Sequence, residues 1–133
     1  MEPRKVFDLE ERLIAFMVRV IGVVEALPNT RAGNHVAGQL VRCGSSPAPN
    51  YAEARGAESR SDFIHKMKVC LKEFRETRVW LLAIQRKPLI EPPAKLDPLV
   101  AECNELIAIF VSSIATAVKN RKPKREPRAL NET

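Results

Sequence analysis

Apolar residues recur along this chain at spacings of three and four, and nowhere in the strict alternation of a half-buried strand. Long stretches with that period predict four helices joined by short, proline-punctuated links, with no internal repeat. The first helix should run from about Asp8 to Leu27, with Asp8 as N-cap and Glu10 and Glu11 in the first turn, where the helix dipole favours acids. Pro28 ends it by disfavouring helical geometry at Leu27. Its apolar positions include Leu9, Leu13, Ile14, Phe16, Met17, Val18, Val20, Ile21, Val23, Val24 and Leu27, nearly the whole circumference. A bundle helix needs an apolar arc of little more than about 100°. The surplus predicts a partner outside the monomer, with Ile14, Met17, Val18, Ile21 and Val24 as the oligomer contact.

The second helix begins near Thr30 or Arg31 and carries a stripe of small residues, Gly33, Ala37, Val41, Gly44 and Ala48. Together with Gly38, these glycines predict close approach of a neighbouring backbone, because each costs about 1 kcal/mol relative to alanine in a helix interior. Pro47 and Pro49 interrupt the pattern. In a helix interior each would cost about 3 kcal/mol. With Ser46 as N-cap they fall at the first and third helical positions, where no intrahelical N–H partner is lost. The expected form is two pieces, about 31–45 and 47–57, kinked near Ser46–Pro49; a loop over 44–49 is the competing form.

The third helix starts at Ser59 or Ser61 and runs to about Arg86. Phe63, Met67, Cys70, Phe74, Thr77, Leu81 and Ile84 form a bundle seam at heptad period, widened by Ile64, Leu71 and Trp80. Lys68, Lys72, Glu73, Arg75, Glu76 and Arg78 are expected on the solvated side. After the proline-rich link "KPLIEPPAKLDP", the fourth helix should span about Asp97 to Lys119, with Leu99, Cys103, Leu106, Phe110 and Ala117 on one face. Short links favour antiparallel neighbours, so the pattern predicts an all-α, up-down-up-down four-helix bundle over 1–119. Residues 120–133 form a separate basic tail, expected to be disordered.

Charge sharpens that division. The formal net charge is +6, yet residues 119–133 alone hold six cations (Lys119, Arg121, Lys122, Lys124, Arg125 and Arg128) against two acids. The body is nearly balanced, so overall basicity says little about it. The tail's cation density suits electrostatic attachment to nucleic acid, with Lys68, Lys72 and Arg75 as a second basic face. The most apolar run, "LIAFMVRVIGVVEAL", contains Arg19 and Glu25 and is too short to span a membrane. No secretory leader pattern precedes it, which makes a cytoplasmic location the expectation.

Little in the chain suggests catalysis. His35 and His65 lie in no motif, and neither a phosphate-binding glycine loop nor a Glu-x-x-His pair is present. Cys43, Cys70 and Cys103 are far apart, without C-x-x-C spacing, and read as small buried hydrophobes; no metal or other cofactor is expected. The polar row Gln39, Arg42, Ser46, Asn50, Glu53 is open to three readings. It could be a solvated face, a ligand or RNA surface, or a structural network. In the network Arg42 would pair with Glu53 or a neighbour's acid, and Asn50 would bond backbone freed at the kink.

The stretches "LPNTRAGNHVAGQLVRCGSSPAPNYAEA" and "SRSDFIHKMKVCLKEFRETRVWL" together resemble the four-helix-bundle proteins encoded in intervening sequences of bacterial 23S ribosomal RNA genes. The matching positions are Gly33, Gln39, Leu40, Arg42, Ser46, Asn50, Glu53 and Ala54, then Ser59, Asp62, Phe63, Lys66, Glu73, Glu76, Thr77, Trp80 and Leu81. Pro47 and Pro49 stand where that family usually has aliphatic or small residues, and Cys43 where serine is usual. The resemblance implies a homopentameric ring. Similar proteins act as accessory factors to reverse transcriptases of diversity-generating elements, which makes nucleic acid and such a polymerase the implied partners. The expectation is a non-catalytic, oligomeric RNA-binding accessory protein; the alternative is a protein-interaction scaffold with no nucleic-acid role.

Overall fold

The computed structural model describes residues 8–132, with side chains described as far as Asn120. Among them are helices and turns and no strand. Helix α1 spans Leu9–Ala26, α2 Arg31–Gly44, α3 Pro47–Arg55, α4 Arg60–Arg86 and α5 Asp97–Glu132, with a 3-10 turn at Pro93–Leu96 leading into α5. Local chemistry sets most of these boundaries. Thr30 caps α2 by accepting from the Gly33 N–H at 3.0 Å, and Ser59 caps α4 by accepting from the Asp62 N–H at 3.0 Å. Asp8 stands at the N-cap of α1 but makes no side-chain cap bond. The last helix passes the expected boundary at 119 and continues to Glu132.

α2 and α3 are the two pieces of one arm. Ser45 and Ser46 both keep right-handed helical backbone, so there is no loop over 44–49. The Ser46 carbonyl accepts from the Asn50 backbone N–H at 3.2 Å and from its side-chain amide at 3.0 Å, and Ser46 Oγ accepts from the same amide at 2.9 Å. Pro47 and Pro49 take the helical donors from Cys43 and Ser45 instead, so Asn50 reinforces a bonded turn rather than meeting the freed backbone. α2–α3 therefore acts as one broken arm beside α1, α4 and α5.

The arms close around one core. α1 packs on α2 and α3, α2 and α3 pack on α4, α4 packs on α5, and α5 returns to α1 through the sparsest of these seams. Each arm contributes one ring to the centre. Phe16 of α1 meets Phe74 of α4 edge-on at 5.6 Å, Phe74 meets Phe110 of α5 at 5.2 Å, and Tyr51 of α3 meets Phe110 at 6.0 Å. Such pairs add about 0.5–1.5 kcal/mol each beyond burial of their area. Above and below them Leu13, Val20, Leu40, Met67, Leu81, Ile84 and Leu106 are fully enclosed. The expected seam of α4 is present, with a small rotation that buries Ile64 and leaves Phe63 half-buried.

Gly44 sets the α1–α2 distance, and Gly33 lets the link between them fold tightly onto the start of α2. A Cβ on Gly44 would stand 2.5 Å from Val20 Cγ1, and one on Gly33 would stand 2.0 Å from the Pro28 carbonyl oxygen. The expectation of close approach holds there and fails at Gly38, where a Cβ would meet nothing within 4 Å. Position 38 faces outward, away from the packed flank.

The excess apolar surface of α1 is smaller than its sequence suggests. Leu13, Phe16 and Val20 are buried, while Ile14, Met17 and Val24 are half-buried against the core. Val18 at 59% and Ile21 at 36% exposure remain open. One stretch, Pro93–Asn120, is long and apolar enough by length and composition to cross a membrane. It includes a bundle arm, with Leu99, Cys103, Leu106 and Phe110 inside the core.

Candidate functional site

The polar row of the α2–α3 arm divides among three separate contacts. Arg42 donates to Gln39 Oε1 at 3.0 Å and to Glu76 Oε2 on α4, and its Nη1 stands 3.7 Å from Glu73 Oε1. Glu76 Oε2 also accepts from Trp80 Nε1 at 3.2 Å, and the Trp80 ring packs edge-on against His35 at 6.0 Å. Ser46 and Asn50 bond each other at the kink. Glu53 accepts from Lys66 Nζ at 3.0 Å. Of the partners the network reading offers Arg42, Glu53 is taken by Lys66 and Glu76 of α4 is the acid that pairs. One helix turn separates Arg42 from the kink, and α4 lies beside α2 with Glu73 and Glu76 already turned toward it.

This seam corrects the expected solvated face of α4. Glu73 is only 18% exposed, and its Oε1 is buried without a hydrogen bond. Arg78 turns the other way, to Asn104 Oδ1 of α5 at 2.9 Å. With the acids drawn to one flank, His65, Lys68, Lys72 and Arg75 are left exposed at spacings of three, four and three. These spacings place them on one outward stripe about 15 Å long. Among the described residues no acid pairs with Lys68, Lys72 or Arg75. Lys119 is exposed on α5; the side chains of Arg121, Lys122, Lys124, Arg125 and Arg128 lie outside the described residues.

The expected oligomer contact falls on the flank of α1 nearest α3. Ile14 and Met17 line an open groove of ≈ 260 Å³ with Glu10, Ala48, Pro49 and Ala52. Val18 and Ile21 continue the stripe toward solvent, and Val24 is half-buried beyond them. Pro49 thus supplies part of an apolar surface as well as a helix start.

Reactive chemistry is scarce. Burial pushes the Cys70 and Cys103 thiols up to about 12 and raises that of Cys43. Neutral buried thiols are poor nucleophiles and poor metal ligands. No cluster of three metal-binding side chains occurs among the described residues. Burial also raises the Tyr51 hydroxyl, whose ring packs on Phe110 in the core.

Sequence reasoning misses two features. Arg12 Nε donates to Glu102 Oε2 at 2.7 Å and its Nη2 to Glu105 Oε1 at 2.6 Å, a clamp joining α1 to α5. The Glu102 hydrogen bond, opposed by burial and aided by Glu105, raises the Arg12 pKa further. Nothing local to Arg12 points to this pairing, because its acids lie 90 and 93 residues away. Toward the other end of the α1–α5 seam, Arg19, Gly22, Val23, Ala26, Ile90, Lys95, Leu96 and Leu99 line a groove of ≈ 290 Å³. Its two walls come from opposite halves of the sequence.

Comparison with known proteins supplies the relationship. A family model described as 23S rRNA-intervening sequence protein matches residues 7–112. A crystal structure of a protein of unknown function from the S23 ribosomal protein family of Bacteroides thetaiotaomicron aligns with a TM-score of 0.73 and 30% identity, covering 79% of this chain and 96% of that one. No protein of curated function matches the chain. The matched span runs from the start of α1 through Phe110 and so includes the whole aromatic centre, the Arg42 seam and the basic stripe of α4; the chain belongs to the 23S rRNA-intervening sequence protein family.

Proposed function

We propose that this chain is a non-catalytic, homo-oligomeric helical bundle of up-down-up-down topology that binds RNA through cationic surfaces, acting in the cytoplasm as an accessory protein. The observation that carries the reading is the exposed row Lys68, Lys72 and Arg75, from which Glu73 and Glu76 are withdrawn by Arg42. A cation row with no acid interleaved attracts a phosphate backbone without reading its sequence. Lys119 and the tail cations extend the charge beyond the bundle. The short links between successive helices support the topology. Assembly, with a pentameric ring as the form the family resemblance implies, is supported by Val18 and Ile21 standing open beside the Ile14–Met17 groove. In a ring the rows and tails would act together, raising affinity without new contacts.

RNA binding measured against salt tests this reading. Changing Lys68, Lys72 and Arg75 together to Glu is expected to weaken binding to a structured RNA and to lower the salt slope by about 2–3, since each phosphate contact contributes about 0.7–0.9. A chain ending at Val118 should lose a further part of the slope. If the unaltered protein binds no RNA at low salt, the nucleic-acid role is wrong and the scaffold reading replaces it. Light scattering at dilute concentration tests the assembly: single chains only would remove the ring.

A further inference from the structure

The groove between α1 and the start of α5 has no role in that reading, and its chemistry is specific. Val23, Leu96 and Leu99 are among its apolar lining residues, and Gly22 and Ala26 keep the α1 side low. Leu96 and Leu99 belong to the core, whereas Arg19 and Lys95 are exposed. Among the described residues these two cations are its only charged lining residues, and neither pairs with an acid. Neither Glu25 nor Glu91 lines the groove, and Asp97 is engaged by the Gln85 amide at 2.7 Å. Gly22 is the telling residue. A glycine inside a helix is unfavourable unless close packing offsets it. At Gly44 that packing exists within the chain; at Gly22 a Cβ would meet nothing within 4 Å. Among the described residues the space over Gly22 is as open as that over Gly38, but at Gly22 it belongs to a groove with apolar and cationic walls.

We propose that this groove docks an acidic amphipathic helix of another protein, its apolar side chains seated on Val23, Leu96 and Leu99 and its carboxylates on Arg19 and Lys95. The dimensions fit. From Arg19 to Ala26 the α1 wall spans about two turns, or 10 Å, which matches apolar side chains at i and i+3 or i+4 on a docked helix. Charge complementarity selects an acidic partner and excludes a nucleic-acid base, because the floor holds no exposed aromatic ring for stacking. The site lies on the opposite flank of α1 from Ile14 and Met17, so a ring built on that flank leaves it open.

Fluorescence polarisation with the full-length protein tests the proposal. The probe is a fluorescein-labelled peptide of about four helical turns with Leu at i, i+3, i+4 and i+7 and Glu elsewhere. Its control carries Lys in place of Glu. The Glu peptide should bind saturably and the Lys peptide should not. Gly22→Leu, which fills the groove from an unobstructed position, should weaken binding about tenfold or more while the thermal melt stays at or above that of the unaltered protein. Arg19→Glu with Lys95→Glu should weaken it comparably. The triple change K68E, K72E, R75E should retain peptide affinity, which separates docking from general attraction to a basic protein. Equal binding of the two peptides, no binding of either, an undiminished affinity in Gly22→Leu, or loss of affinity in the triple variant would each overturn the proposal. So would a change of assembly size in Gly22→Leu, which would make the groove an interface between copies.

Discussion

The two seams that α1 makes with its neighbours are built on opposite plans. Against α2 it is closed by absence: Gly44 removes a side chain and Val20 occupies the space, while at the link between the helices Gly33 makes room for the Pro28 carbonyl. Against α5 it is tied near one end by a charged clamp, Arg12 to Glu102 and Glu105, and left open toward the other as a groove. Backbone-close packing excludes everything else, while a seam held by long charged side chains keeps room for a partner. The same residue type marks both plans. Gly44 is buried in the closed seam, and Gly22 is exposed at the open one.

Substitutions of glycine by alanine should therefore differ in sign between the two sides of α1. Gly33→Ala is expected to cost most, about 2–3 kcal/mol, because the new Cβ meets a backbone carbonyl at 2.0 Å that no rotamer change can move. Denaturant unfolding would show it, and a loss under about 0.5 kcal/mol would mean that the turn at Pro28 yields freely. Gly44→Ala should cost less, about 1–2 kcal/mol, since Val20 is a side chain and some helix propensity is recovered. Combining it with Val20→Ala should give a total smaller than the sum of the two single losses; strict additivity would show that the contact is not the cause.

At the open seam the effects shrink and then reverse. Arg12→Ala should cost about 1 kcal/mol, since the clamp is partly exposed, and the cost should fall at high salt. A salt-independent loss would assign the role to packing of the Arg12 stem. Gly22→Ala should stabilise by somewhat under 1 kcal/mol, raising the thermal midpoint. If it destabilises instead, the seam is closed in solution by something that comes as near to Gly22 as Val20 comes to Gly44.

Much of the fold is legible along the chain. Apolar spacing fixes four arms, the Thr30 and Ser59 caps place two helix starts, and the proline positions place the break at Ser45–Ser46. These are local facts, decided within a turn or two of helix by backbone geometry and hydrogen-bonding capacity. The candidate site is less legible. Lys68, Lys72 and Arg75 are visible as cations, but the withdrawal of Glu73 and Glu76 toward Arg42 is not, because it depends on which flank of α4 meets α2. The width of the apolar arc on α1 likewise overstates what stays exposed, since α3 shelters Ile14 and Met17.

By itself, the sequence determines an all-helical bundle with a proline-interrupted second arm and cations on the outer side of α4, because periodicity, caps and prolines act on neighbouring residues. Only tertiary structure decides which glycines are filled by a neighbour and which stand empty. It likewise decides which acids neutralise Arg12 and Arg42, and where a groove remains. Those outcomes join residues 90 or more positions apart in the clamp and depend on the rotation of one arm against the next, which no local pattern encodes.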